Sequence, residues 1–274
     1  MSTQINHSNE QLAAQAFTHQ SFIFDELYAG NGIIRYKRDR VRKCLLQYLR
    51  PGSTILELNA GTGDDAIFFA QNGYSVHATD ISAGMQKKLM EKVKIRGLTS
   101  SISNELCCYT GLEALKSKGP YDCIFSNFAG LNCTSELSRV LAGFDHLIRP
   151  GGIVIVVLLP GFCLWESLMI LKGKFKTATR RFFCPNGRRV NIDGNSFKCW
   201  YYPPGVVTHL LKDRFELLEI EGLCTIVPPS YLENFAEKYP GIFSFLRKAE
   251  NRLKSRWPWK YIGDYYIISF RKKS

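Results

Sequence analysis

The chain of 274 residues holds nine cysteines but no CxxC pair. The closest two, Cys107 and Cys108, are adjacent in the chain and poorly placed to share one site. Neither zinc-ribbon spacing nor a disulfide framework is present, and the thiols read as reduced and mostly buried. The opening residues, MSTQINHSNEQLAAQAF, lack a basic segment followed by an apolar core, so export is not expected and a cytoplasmic location is. A membrane-spanning run is missing too. The longest apolar stretch, from Gly151 to Gly173, is broken by Pro160, Gly161 and Glu166, and its Val- and Ile-rich first half suits a buried strand. The sequence has no internal repeat and no low-complexity segment.

Apolar and aromatic residues make up 45% of the chain, enough for a substantial core in one large domain or in a domain with an inserted lid. The net charge of +12 is uneven: from Pro160 onward there are 20 Lys and Arg against 10 Asp and Glu. Such a surplus fits an acidic substrate, a peripheral membrane contact or RNA, and equally a solvated surface with no partner.

From residue 54 to about 158, short apolar runs alternate with helix-like segments, which predicts a parallel sheet covered by helices on both faces. The strands expected are STILEL, YSVHATD, NELCCYT, YDCIFSN and IVIVVLL, joined later by RFELLEIEGL and DYYIISFRK. The expected fold is therefore α/β, a doubly wound, Rossmann-like sheet of seven strands with the last antiparallel. Its parts are a helical cap (1–50), a core (51–159), an irregular insertion serving as a lid (160–212), and a C-terminal part of the core with a helical excursion (213–274).

The stretch ILELNAGTGDD carries the chemistry. Gly61, Gly63 and Ala66 match the G-x-G-x-x-G/A turn, and Asp80 ends the next strand, where an acid can grip a ribose diol. A dinucleotide would put its pyrophosphate at the first helix turn, but Asp64 and Asp65 occupy that turn and Glu57 precedes it. Their charge disfavours phosphate and favours a ligand bearing a sulfonium and an ammonium.

With these motifs, ELNAGTG, ATDIS, AGM, YDCIFSN and LIRPGGIVIV in order, the chain resembles the class I S-adenosylmethionine-dependent methyltransferases over about residues 50–160. The resemblance implies S-adenosylmethionine as cofactor, held by Glu57, Asn59, Gly61, Gly63, Asp80, Ile81, Thr110 and Asn127. Two positions depart from the family. Asn59 stands for the first glycine, and Asn tolerates positive φ better than most residues. Tyr109 and Thr110 stand where an acid commonly meets the adenine.

The acceptor is expected at the C-terminal ends of strands four and five. Asn127 there lacks the two prolines of the N/D-P-P-Y/F motif of base-methylating enzymes, which disfavours nucleic acid. Tyr28, Tyr36, Phe128, Trp165 and Tyr201 are candidates to wall a small apolar, aromatic or lipid-like acceptor, alongside Phe24, Phe182, Phe183, Trp200 and Tyr202. Glu166 and Asn127 are the catalytic candidates, with Glu166 as a base of raised pKa or else a salt-bridging residue. No metal ligand set is expected. RNA methylation through the basic C-terminal part, a non-catalytic cofactor-binding subunit and NAD-dependent oxidation are the competing readings.

Overall fold

The computed structural model describes residues 8–182 and 184–274, so Phe183 lies outside the described residues. Seven strands form one sheet in the order β3-β2-β1-β4-β5-β9-β8: β1 (Thr54–Leu58), β2 (Ser75–Asp80), β3 (Ile102–Leu106), β4 (Tyr121–Ser126), β5 (Ile148–Leu158), β8 (Phe215–Leu223) and β9 (Tyr265–Lys272). Strands β1 to β5 run parallel, and β9 is antiparallel to both β5 and β8. The remaining two, β6 (Arg188–Ile192) and β7 (Asn195–Cys199), form a separate hairpin.

Periodicity decides which helices cover which face. Helices α1 (Asn9–Gln20), α2 (Phe24–Ala29) and α3 (Gly32–Leu46) precede the sheet, and α4 (Asp64–Gln71), α5 (Ala83–Ile95) and α6 (Leu137–Ala142) lie between its strands. Val41, Cys44 and Leu45 of α3, spaced i, i+3, i+4, pack with Ile67 and Phe69 of α4 and Leu89 of α5 on one face. On the other face, Val140 and Leu141 of α6 meet Val207 and Leu211 of the helix Pro204–Leu211. That helix corrects the sequence reading, because the end of the supposed irregular insertion is a core helix. The third strand is also displaced. It ends at Leu106, opposite Asp80 where β2 ends, and without a partner the chain beyond turns into the short helix Tyr109–Ala114 instead of continuing as a strand to Thr110.

One buried cluster joins the cap to the C-terminal part. The Glu250 carboxylate accepts from the backbone N–H groups of Cys224, Thr225, Ile226 and Val227 at 2.8–3.0 Å and from the Tyr36 hydroxyl at 2.9 Å. Arg40 bridges it to Glu221, donating to the latter at 2.7 Å. Both carboxylates are buried, and the ion pair together with these hydrogen bonds offsets the cost of removing them from water.

Candidate active site

At the end of β1 the chain turns through Asn59, Gly61 and Gly63, all at positive φ (47°, 57° and 82°). Asn59 holds the position by using its side chain: Nδ2 donates to the Asn127 carbonyl at 2.9 Å, and Oδ1 accepts from the Ser126 hydroxyl at 2.6 Å. This ties the ends of β1 and β4 together. Gly130 makes room for it, since a Cβ there would stand 2.2 Å from Asn59 Cγ. Gly63, the N-cap of α4, is required by packing as well as by φ, because a Cβ would meet Leu89 Cγ at 2.6 Å.

Asp80, at the end of β2, accepts from the Gly61 N–H at 2.9 Å and the Ser82 N–H at 2.8 Å. Burial raises its pKa above the ordinary value, with those hydrogen bonds opposing. Glu57 differs in kind. It is buried inside β1, and its Oε2 has no hydrogen-bond partner among the described residues. Burial first, and then the neighbouring Asp65 carboxylate, push its pKa well up, against Arg38 and Arg42.

The acids of the first helical turn are occupied, which changes the argument drawn from sequence. Asp65 receives Arg42 Nε at 2.7 Å, Arg38 at 3.3 Å and Asn127 Nδ2 at 2.8 Å. Asp64 pairs with Lys92 at 2.8 Å and Arg38 at 3.3 Å. Burial raises the Asp64 pKa, but Arg38 and Lys92 outweigh it and the net shift is downward. The negative field these acids would present to a ligand is largely cancelled, whereas Glu57, on the strand before them, keeps an unused oxygen.

A cavity of about 360 Å³ opens on these groups. Glu57, Asn59, Gly61, Asp80, Ile81 and Asn127 line it, as do Tyr28 and Phe128 among the expected acceptor residues. Gly63 lies behind it as the helix cap, and Thr110 is replaced in the wall by Tyr109. Asn127 has little side-chain capacity left: Nδ2 serves Asp65, and Oδ1 accepts from the Phe128 N–H at 2.7 Å. Phe128 and Ala129 both sit at positive φ (50° and 61°), an unfavoured pair of conformations held at the cavity wall.

Of the expected acceptor and catalytic residues, Tyr36, Trp165, Glu166, Phe182, Trp200, Tyr201 and Tyr202 stand outside this wall. Tyr36 belongs to the Glu250 cluster. Tyr201 lies under Arg181, whose guanidinium is 5.4 Å from the ring centroid. Trp165 is not a lining residue either, and its buried Nε1 has no partner among the described residues. Glu166, the expected base, is buried against Arg180 and Arg181. Arg181 also binds Asp264 at 2.8 Å. Cys163, Glu166 and Asp264 are close enough to ligate a cation, yet Arg181 already answers both carboxylates.

Other lining residues escaped the sequence. Ile34, Lys37 and Arg38 face the cavity from α3 at helical spacing. Lys37 is buried, with Nζ 3.1 Å from Ser230 Oγ, 3.5 Å from Asp264 and 4.3 Å from the Tyr265 ring centroid. Burial lowers its pKa, but Tyr265 and Asp264 outweigh this and the net shift is upward, so it is charged. Burial pushes the cavity-lining Tyr265 up to about 12. Glu10 of α1 is buried, lines the cavity and has no ion pair to its carboxylate among the described residues. The cation–aromatic register of α3 was the available signal; nothing local marks Glu10, Ser230 or Tyr265.

This sheet order, with an acid-flanked glycine turn after the first strand and an acid closing the second, defines the class I S-adenosylmethionine-dependent methyltransferase architecture. Residues 55–152 match the family model described as a methyltransferase domain. The chain is 27% identical over 136 residues to an uncharacterized methyltransferase of Synechocystis sp., covering 48% of this chain and 60% of that one. It is 33% identical over 114 residues to the ubiquinone/menaquinone biosynthesis C-methyltransferase of Serratia proteamaculans, covering 40% and 43%. These matches span less than two thirds of either relative.

Among solved structures, a putative S-adenosylmethionine dependent methyltransferase from Listeria monocytogenes aligns with a TM-score of 0.62 at 16% identity, over 89% of this chain and 100% of that one. The [4+2]-cyclase SpnF aligns with a TM-score of 0.62 at 15% identity, over 97% and 96%. Identities this low speak to fold alone. Residues 55–152 thus match a methyltransferase domain and lie in a sheet of the class I fold, and the cofactor that goes with both is S-adenosylmethionine. The cavity suits that cofactor: the unpartnered Glu57 oxygen can accept from an ammonium, Asp80 can accept from ribose hydroxyls, and Gly61 leaves open space where a side chain would project.

Proposed function

We propose that this chain transfers a methyl group from S-adenosylmethionine to a small apolar or aromatic acceptor bearing an acidic hydroxyl or other anionic group. The observation that carries the reading is a single cavity running from Glu57, Gly61 and Asp80 to a wall of Phe24, Tyr28, Phe128 and Tyr265 with the charged Lys37 among them. When bound, the cofactor supplies a methyl group activated by its sulfonium. Glu57 accepts the cofactor's ammonium N–H, Asp80 holds its ribose, and Glu10 takes the adenine amine in place of the acid that Tyr109 and Thr110 do not provide.

Because the lining acids Asp64 and Asp65 are engaged with arginine and lysine, neither is free to act as a base. Lys37 instead favours an acceptor that arrives ionised, and Ser230 beside it orients the reacting oxygen or nitrogen. The aromatic residues exclude water from the reacting atoms. Asn127 acts by positioning, since it fixes Asp65 and the Phe128 backbone. A fold shared with a [4+2]-cyclase makes direct measurement necessary. The test is to incubate the purified protein with methyl-labelled cofactor and a panel of phenols, enols and carboxylic acids, with amines and RNA as comparators. Transfer to acidic hydroxyl compounds that is lost in Lys37→Met, with cofactor affinity retained, is expected. Label appearing only on RNA would overturn the reading.

A further inference from the structure

Of the insertion expected to close over the acceptor (160–212), Ile192 lines the cavity and none of residues 160–182 does. Several of its large apolar side chains instead face solvent. Leu171 is 80% exposed and Phe175 62%, with Leu168 and Ile170 also exposed. They flank a turn at Gly173, at φ 68°, between the short helices Leu168–Lys172 and Phe175–Ala178. Lys172, Lys174 and Lys176 alternate with them and are exposed too. The arrangement is built from below: Met169 and Ala178 are buried under the turn, and Glu166 clamps Arg180 and Arg181 at its far end. Between Glu166 and Asp193 the chain carries seven Lys and Arg and no acid.

We propose that the turn Leu168–Lys176 is a docking surface for an anionic lipid bilayer. Two features on the same nine residues agree. Aliphatic and aromatic side chains projecting from a pinned turn suit the boundary between headgroups and acyl chains, and lysines interleaved with them suit anionic headgroups. A nucleic acid would use the lysines but leave Leu171 and Phe175 in water. An acidic protein partner would not need a bare apolar tip ringed only by cations. The inference does not depend on the acceptor, because the docking residues lie outside the cavity wall.

The test is co-sedimentation of the full chain with phosphatidylcholine vesicles that either contain phosphatidylglycerol or lack it. Binding is expected to the anionic vesicles and to weaken as salt rises, through screening of the lysines. Leu171→Glu with Phe175→Glu is expected to weaken it by at least about tenfold. Both residues are exposed, so the double variant keeps its circular dichroism and its cofactor affinity. Phe245→Glu, at an exposed apolar residue of the helix Pro240–Leu253, is expected to bind vesicles as the native chain does. Absence of binding to anionic vesicles at low salt, or equal binding by the double variant, overturns the proposal. So does a native chain that is dimeric, with the double variant monomeric and neither binding vesicles, which would make the turn an interface between copies. RNA binding without vesicle binding overturns it as well.

Discussion

Glu250 and Glu57 are both carboxylates buried in the same molecule, and their surroundings are opposite. Glu250 collects four backbone N–H groups, a tyrosine hydroxyl and an arginine, so its charge is answered wholly within the fold. Glu57 has two arginines at a distance, an acid as neighbour and one oxygen with no donor among the described residues. The first arrangement fixes the loop 224–227 against the cap. The second holds unspent hydrogen-bonding capacity at a cavity, which costs stability and which a bound cation would recover. A satisfied buried charge marks structure here, and an unsatisfied one marks a site.

The contrast can be broken by substitution, and the largest effect is expected at the closed acid. Glu250→Ala should lower unfolding stability by about 3–5 kcal/mol, since it leaves four buried N–H groups and the Tyr36 hydroxyl without their acceptor and Arg40 with Glu221 alone; denaturant titration with an unchanged m-value would show it. Glu166, the other closed acid, should behave similarly on a smaller scale. Glu166→Gln is expected to cost about 1.5–3 kcal/mol of stability while leaving the pH profile of methyl transfer in place. Loss of one limb of that profile would return Glu166 to the reaction.

The open acid should give the reverse pattern. Glu57→Gln is expected to weaken S-adenosylmethionine binding by about 1.5–3 kcal/mol in calorimetry with no loss of stability. The sign with pH follows from its raised pKa. Below the ordinary carboxylate value of 4.5 Glu57 is protonated whether the chain is folded or unfolded, and the substitution changes little. As pH rises from there through the raised folded pKa, ionising the buried group costs stability that the glutamine variant does not lose. The variant should therefore gain on the native chain across that window. Cofactor affinity of the native chain should fall as pH drops through the same window, because the ammonium needs the ionised form, and the variant should lose this dependence.

The smallest effect is expected at Glu10. Glu10→Gln should weaken the cofactor by about 0.5–1.5 kcal/mol, as for one neutralised hydrogen-bond acceptor. Comparison with a cofactor analogue lacking the adenine amine sharpens the assignment: the variant and the native chain should bind that analogue alike. Equal weakening toward both would place Glu10 elsewhere.

How far the sequence could be read follows the range of the interactions involved. The alternation of strand and helix, the glycine turn and the acids at 57 and 80 are local signals. They specified the sheet and the groups at the ends of β1 and β2, because hydrophobic period and positive φ are properties of neighbouring residues. What each charge does is not local. Glu166 and Glu57 both sit in apolar runs, and only folding brought Arg180 and Arg181 onto one of them and left the other with a bare oxygen. Asp64 and Asp65 read as open charge until α3 delivered Arg38 and Arg42. The aromatic and cationic wall of the cavity assembles from α2, α3, the end of β4, Ser230 and Tyr265, more than two hundred positions apart in the chain at the extremes, and no spacing rule links them. The sequence by itself determined the scaffold and the cofactor class. Tertiary structure decided which buried charges are neutralised and which remain available, because electrostatic energy depends on distance and burial in space rather than on order along the chain.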